Sequence, residues 1–542
     1  MNRRELLAAL IGLPGLLPGC YRRSTPSLPE GAIVGASAGI GHRLRDGFRP
    51  VPPPDAWQNR TVVIVGAGVA GLVAAWRLAR AGLNDFELIE LEPVAGGTAR
   101  SGTSKVVGYP WGAHYIPAPT KENRLLVTIL DELGVFEGTD EAGQPVVKEQ
   151  YLCREPEERV FYLGQWHEGL FVHAGATPED ESQWRRFQAE IDRFVGWRDA
   201  RGRRAFAIPV AHCSDDADIT QLDRITMADW LDQNGFTSRR LRWLVNYACR
   251  DDYGMTIEQT SAWAGLFYFA ARVPKPGASS QPFITWAEGN GWVVNRLFRK
   301  FRDRSKLGFA VSDIVPREDG ADVIAVDSEG RQAIGRRARF VIFAAPHFLT
   351  RYLIRSYRDD PPRHLQEFEY GSWFVANLHL RERPYGRGFP LCWDNVIYDS
   401  PSLGYVCATH QALLDYGPTV LTYYYPICED NPTRGREKLL AWDWSTCAEL
   451  CLSDMERAHP NIRDLTQRLD VMRWGHAMIQ PRPGFIWGRS RQDAQQAFGP
   501  IHFAHTDLSG VPLFEEAAYH GIRAAEEILK RHGMNTRSLL SD

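Results

Sequence analysis

The chain has 542 residues, of which 44% are hydrophobic and 24% charged, enough apolar material for several cores; this excludes a disordered chain and a mini-protein. Its 63 Lys and Arg against 66 Asp and Glu leave a formal charge of −3, without the basic excess that draws a protein to phosphate backbones, so no nucleic-acid partner is expected. The 17 Trp, 19 Tyr and 25 Phe point to an aromatic core and a sizeable pocket.

The first twenty residues read as a targeting segment. Arg3 and Arg4 precede an apolar stretch over residues 6–17, about half the length of a membrane span, which suits an export signal rather than an anchor helix. Leu17-Pro18-Gly19-Cys20 resembles a bacterial lipobox with Cys20 as the lipidated residue, and the arginine pair resembles a twin-arginine signal. Both imply a lipoprotein at the periplasmic face of a bacterial membrane. The other cysteines are scattered without a CxxC pair and are expected to be small buried hydrophobes. Cys447 and Cys451 share a predicted helix face.

Residues 21–56 are rich in Pro, Gly, Ser and Arg, a composition suited to a tether or wrapping arm. Within them, Val34-Gly35-Ala36-Ser37-Ala38-Gly39-Ile40-Gly41 matches both a GxSxG elbow and a dehydrogenase glycine run. Neither has its required context: no strands precede it, and Asp46-Gly47 and Pro50 interrupt any following helix.

The β-branched run 61–65 predicts a buried parallel strand, the alanine-rich stretch 69–81 a helix, and 86–91 a second strand. Between them lies Gly66-Ala67-Gly68-Val69-Ala70-Gly71, a GxGxxG in the context the motif needs. Gly66 allows the tight turn, Gly68 lets backbone approach a pyrophosphate, and Gly71 permits close helix packing. The helix N-terminus offers N–H groups to phosphate. Glu90 closes the second strand, where a carboxylate accepts ribose hydroxyls. Residues 120–280 read as mostly helical, and strands return at 309–314, 323–326, 340–344, 373–380, 421–425 and 501–504, before a helix over 514–531.

Pro93-Val94-Ala95-Gly96-Gly97-Thr98-Ala99-Arg100-Ser101 resembles the second phosphate loop of the flavin-dependent amine oxidase, phytoene desaturase and protoporphyrinogen oxidase superfamily. Three further stretches resemble that family in order: Val311 to Ile314 with 340–346, Trp111-Gly112-Ala113-His114-Tyr115, and Phe503-Ala504-His505-Thr506-Asp507 running into Phe514. The resemblance implies an α/β fold, a glutathione-reductase-like FAD (Rossmann-type) domain interleaved with an α+β substrate domain. Its FAD domain would take 57–120, 285–350 and 490–535, its substrate domain 121–284 and 351–489. It implies non-covalent FAD held by Gly66, Gly68, Gly71, Glu90, Gly96, Gly97, Arg100, Gly112, Val311, Asp507 and Phe514. Val311 would meet the adenine, Asp507 the ribityl or pyrophosphate region, and the helix from Phe514 the pyrimidine edge of the flavin.

The implied function is hydride removal from a small organic substrate, an amine or a unit undergoing desaturation, with O2 or a quinone as electron acceptor. The family's lysine beside the flavin is replaced by Val375, and its aromatic residue before the last helix by Leu513. His114 and His476 are the candidates for proton movement. Arg250-Asp251-Asp252 is expected at a helix end as a solvated face or an Arg250 ion pair. His502 and His505 lie three apart on a strand, facing opposite sides, so no metal site is expected there. A different class also fits the sequence: an exported flavin-binding or assembly protein without turnover.

Overall fold

Branched side chains on both faces suit a strand buried on both sides. In the computed structural model, which describes residues 28–540, Val62 to Val65 are buried at the centre of a seven-stranded sheet. Strand Trp57–Val65 is flanked by the parallel strands Phe86–Glu90 and Ala333–Phe343. Ser305–Leu307 extends the sheet beyond Phe86–Glu90, and Ile501–Phe503 runs parallel to the end of Ala333–Phe343. Gly320–Asp327 and Phe309–Arg317 complete it as an antiparallel meander. Helices Val69–Arg80 and Phe514–Arg531 share one core cluster with Val62, Ile64, Leu88 and Ile342. They pack with Gly521 so close to Ala70 that a Cβ would stand 2.4 Å from its carbonyl oxygen. The structure is thus an α/β fold of the Rossmann type.

A second, eight-stranded sheet runs in the order Ile33–Gly35, Thr466–Ile479, Tyr370–Leu380, Thr419–Ile427, Tyr405–Cys407, Asp394–Ile397, Glu158–Tyr162, Gln165–Glu168. Period-2 alternation divides its faces. Phe374, Leu378, Leu421 and Tyr423 pack with Cys447, Cys451 and Leu452 of helix Trp444–Met455. Trp373, Val375, Tyr424 and Met472 face Tyr109 and Trp111 of the dinucleotide half. The helices Pro178–Gly196, Arg239–Tyr253 and Ala262–Ala270 form a separate aromatic core around Phe187, Trp230 and Trp263.

One expectation needs correction. Residues 120–280 are not wholly helical: they contain Phe136–Thr139 paired with Pro145–Val147, and Glu158–Tyr162 paired with Gln165–Glu168. The second hairpin turns on Leu163 and Gly164, both with positive φ (47° and 81°), as a two-residue hairpin turn requires. Its Glu and Arg residues hid the strand pattern, because Arg159 is buried, lying 3.8 Å over the Trp166 ring and donating to Asn395 at 2.5 Å. The glycine-rich run in the arm forms neither an elbow nor a dinucleotide loop. It ends a short edge strand and starts the helix Ala38–Arg45.

Candidate active site

The first glycine loop is shaped by what cannot fit there. Gly66 has φ +100°, and a Cβ on Gly71 would stand 2.0 Å from the Gly66 carbonyl oxygen, so helix Val69–Arg80 leaves the loop at a distance only glycine allows. Above Gly68 the space is open, with nothing within 4 Å of where its Cβ would be. The helix has no side-chain cap, which leaves first-turn N–H groups for a ligand. The second loop closes against the first: Gly68 bridges to Gly96, and Gly96 N–H donates to Ala67 O at 2.9 Å. Gly112 meets this loop so tightly that a Cβ would lie 2.2 Å from Thr98 O.

Glu90 braces both loops. One carboxylate oxygen accepts Ala67 N–H at 2.7 Å and the other Glu92 N–H at 2.9 Å; burial raises its pKa, and these two bonds oppose the rise. Each oxygen keeps a lone pair for a ribose hydroxyl. Arg100 ion-pairs with Glu92 at 3.1 Å and lies 4.9 Å over the Trp474 ring. Val311 is buried on Phe309–Arg317, which follows directly from the strand paired with Leu88 to Glu90. The open cradle, uncapped helix and ribose-facing acid fit a dinucleotide, so the chemistry of the donor set matches FAD.

Across the dinucleotide loops, residues 111–115 lead into an aromatic wall. His114 stacks on Tyr424 with centroids 5.0 Å apart and lies 5.3 Å from Trp393 and Tyr115. The Tyr424 hydroxyl donates to Gly112 O at 2.9 Å, which ties the substrate sheet to the loop. His114 Nδ1 stands 3.2 Å from the same carbonyl; since a carbonyl can only accept, Nδ1 carries the proton and Nε2 is the free base. Burial lowers its pKa to about 4, so the ring is neutral at pH 7. Val375 pairs with Tyr424 and Met472, and no lysine occurs on strand Tyr370–Leu380.

Beside this wall lie carboxyls that the sequence did not bring together. Asp251, Asp394 and Glu158 interact electrostatically, and none forms an ion pair with a described residue. Tyr247 hydroxyl donates to Asp394 at 3.3 Å. Burial and then the Asp252 charge push Asp251 to about 7; burial and neighbouring carboxylates bring Glu158 to about 7 as well, and Asp394 well above the usual range. Asp252 pairs instead with Arg272, at 3.1 Å. This corrects the expected Arg250 pair: Arg250 is buried on the same helix but donates to the carbonyls of Ser400 and Ser402. Glu515, in the uncapped first turn of Phe514–Arg531, is raised to about 7 by burial, opposed by the Arg272 charge.

The remaining candidates are placed separately. Asp507 accepts His347 N–H at 2.8 Å and the Tyr370 hydroxyl at 2.6 Å through one oxygen, and its other oxygen faces His505 Nδ1 at 2.8 Å. Burial raises this carboxyl, but those three partners outweigh it and hold its pKa below the usual range. His476 stacks on Phe348 at 3.9 Å, and burial lowers its pKa to about 3. His114 and His476 therefore rest on different partners, and both are neutral at physiological pH. His502 pairs with Glu527 at 2.7 Å.

Paired glycine loops on a parallel sheet, with a second sheet bringing an aromatic, acid-bordered wall against them, define a two-lobed flavin-dependent oxidoreductase. The chain belongs to the flavin containing amine oxidoreductase family, whose model matches residues 69–529. The cofactor is FAD. No curated protein sequence matches the chain. Among solved structures it resembles a cofactor-binding variant of putrescine oxidase, at 19% identity and TM-score 0.65 over 88% of this chain and 100% of that one. It is also similar to cyclohexylamine oxidase from Brevibacterium oxydans, at 15% identity and TM-score 0.61 over 88% of this chain and 100% of that one. A putative protoporphyrinogen oxidase from an Exiguobacterium species matches at 16% identity and TM-score 0.57 over 88% and 99%. These likenesses carry the fold.

Proposed function

We propose that the protein oxidises amines, and that it prefers amines bearing a second positive charge. The observation that carries this reading is the set of half-buried carboxyls at Asp251, Asp394 and Glu158, none of them in an ion pair among the described residues, beside the wall of His114, Tyr424 and Trp393. When bound, FAD supplies the hydride acceptor. Carboxylates kept out of water are stabilised by an ammonium group, and aromatic faces attract one as well. The apolar wall has the opposite effect on the reacting nitrogen: it favours the neutral amine, from which a hydride can leave the adjacent carbon. His114 Nε2, neutral and unprotonated, can accept a hydrogen bond from this nitrogen and so hold it in place. The site residues Gly66, Gly68, Gly71, Gly96 and Gly97, with Glu90 and Arg100, would hold the dinucleotide. The name of putrescine oxidase, a diamine-directed enzyme, agrees with this reading.

The test is anaerobic flavin bleaching against a panel of monoamines, diamines, amino acids, polyenes and porphyrinogens. Bleaching by diamines is expected. Below about pH 7 Asp251 is neutral, whereas an alkylammonium, with a pKa near 10, stays charged. KM for a diamine should therefore fall as pH rises from about 6 to 8, and Asp251→Asn should flatten that limb. Bleaching by polyenes or porphyrinogens alone would transfer the reading to desaturation, and none at all would favour a binding protein without turnover.

We further propose export by a twin-arginine route and attachment through lipid on Cys20. The support is the sequence of residues 1–20, which lie outside the described residues. The motifs assigned to FAD, at 66, 90, 311 and 507, are far apart in the chain, which suits a route that carries folded cargo. Two or three acyl chains hold a protein far more firmly than one. In cell fractionation, Cys20→Ser should move the protein out of the membrane fraction; unchanged membrane association with normal processing would remove the lipid anchor from the account.

A further inference from the structure

The family match starts at residue 69, and residues 28–56 precede it. This segment has too few apolar residues for a core of its own, yet it touches both halves of the molecule. Leu469 N–H donates to Glu30 O at 2.8 Å and Val471 N–H to Ala32 O at 2.9 Å. Gly31 sits so close that a Cβ would stand 1.8 Å from Leu469 O. The chain then crosses to the dinucleotide half. Ser37 gives its N–H and its hydroxyl, at 2.7 and 3.0 Å, to the two oxygens of Glu92. Gly35 passes over Arg100, where a Cβ would lie 2.8 Å from Nη2. Helix Ala38–Arg45 buries Ile40 and Leu44 against Ala310 and Val326, with Leu91 packed on the same cluster. Leu91 follows Glu90 and Ala310 precedes Val311, so the helix rests beside both residues assigned to the adenosine half.

Arg100 makes the arrangement point to a ligand. Its side chain is 7% exposed, its Nε has no hydrogen-bond partner, and its Nη2 faces only the Met472 sulfur, at 2.8 Å. A buried guanidinium with one carboxylate partner and an orphaned N–H is under-satisfied. It borders the loop of Gly96 and Gly97, and an anionic diphosphate is the group that a guanidinium fork binds best.

We propose that the arm is a third component of the FAD site: Ser37, acting through Glu92, is a positioning residue that holds Arg100 for the diphosphate, and helix Ala38–Arg45 closes over the adenosine end. FAD then leaves only after the arm has lifted.

The experiment measures FAD release from the full-length holoprotein, by the rise of flavin fluorescence on dilution, alongside the melting temperature of the FAD-free protein. Ser37→Ala should release FAD about five- to ten-fold faster, from the loss of one of two bonds to Glu92 and the loosening of Arg100. Ile40→Ser with Leu44→Ser should be at least as fast, and Ser37→Thr should behave as the parent. The FAD-free melting temperature of Ser37→Ala should match the parent's, which a merely structural arm contact would not predict. Parent-like release from Ser37→Ala and from the double variant would overturn the proposal, as would faster release accompanied by an equal loss of FAD-free stability. A parent protein that holds no FAD would overturn both the cofactor assignment and the arm's role.

Discussion

Gly71→Ala is expected to yield protein that purifies without flavin colour. The added Cβ would meet the Gly66 carbonyl oxygen at 2.0 Å and Ile64 Cγ2 at 3.3 Å. The first obstacle is backbone, so the helix must move rather than a side chain. Overpacking against a rigid partner costs about 3 kcal/mol at the upper end of its range, and if that falls on the helix terminus facing the phosphates, FAD affinity drops roughly 100-fold. Gly68→Ala is the contrasting variant. Nothing lies within 4 Å of its Cβ, so the FAD-free protein should melt with the parent while FAD binding weakens, the methyl occupying space that a pyrophosphate needs. Titration of FAD into flavin-free protein, with melting curves beside it, separates the two. Equal FAD affinity of Gly68→Ala and the parent would show that the diphosphate passes elsewhere.

The second large effect lies at the end of helix Arg239–Tyr253. Arg272 and Asp252 pair at 3.1 Å with side chains 6% exposed on both sides, with Glu515 and Asp251 close enough to act on them. Removing one member of a buried pair leaves an uncompensated charge, at a cost of about 3–5 kcal/mol. Arg272→Met should therefore be destabilised by that amount in denaturant melts at pH 8. Burial already holds the Asp252 carboxyl above its usual range, with Arg272 opposing the rise. Without Arg272 that pKa climbs further, and an acid with a raised folded-state pKa contributes stability at low pH that is lost as pH rises through it. The deficit should accordingly shrink at pH 5. Arg272→Met with Asp252→Leu should recover most of the loss at pH 8, as buried pairs replaced by apolar groups commonly do. A deficit below about 1 kcal/mol, or one that ignores pH, would contradict this account, the pair then being no stronger than an exposed one.

The parts of the site carried by contiguous chain were legible in the sequence. Residues 61–71 and Glu90 declare strand, turn, helix and acid through local rules that hold before any tertiary contact forms, and the structure builds them so. The acids beside His114 were not legible, because Glu158, Asp251, Asp394 and Glu515 come from four elements and only their packing makes them neighbours. Asp251 and Asp252 were visible as a pair, but their partner was not. Arg250 sits next to them in sequence, yet its guanidinium is consumed by the Ser400 and Ser402 carbonyls, while Arg272 arrives from beyond helix Ala262–Ala270. The docking of the arm was equally hidden. Its strongest bonds, to Leu469, Val471 and Glu92, depend on surfaces made by distant segments, and its composition reads the same whether it is docked or free.

The edge strand Ile33–Gly35 has one more effect. Thr466–Ile479 is 14 residues long and would be the last strand of its sheet were Glu30 to Gly35 not laid along it. A strand of that length with unsatisfied N–H and C=O groups is a template for pairing with another chain. The arm covers its first half, at Arg468, Val471 and Met472, and turns away at Ser37 before offering a long free edge of its own. Protein whose N-terminal segment has been clipped off would therefore expose a ready partner for a second clipped molecule, and self-association through that sheet would follow from loss of the arm even where both lobes remain folded.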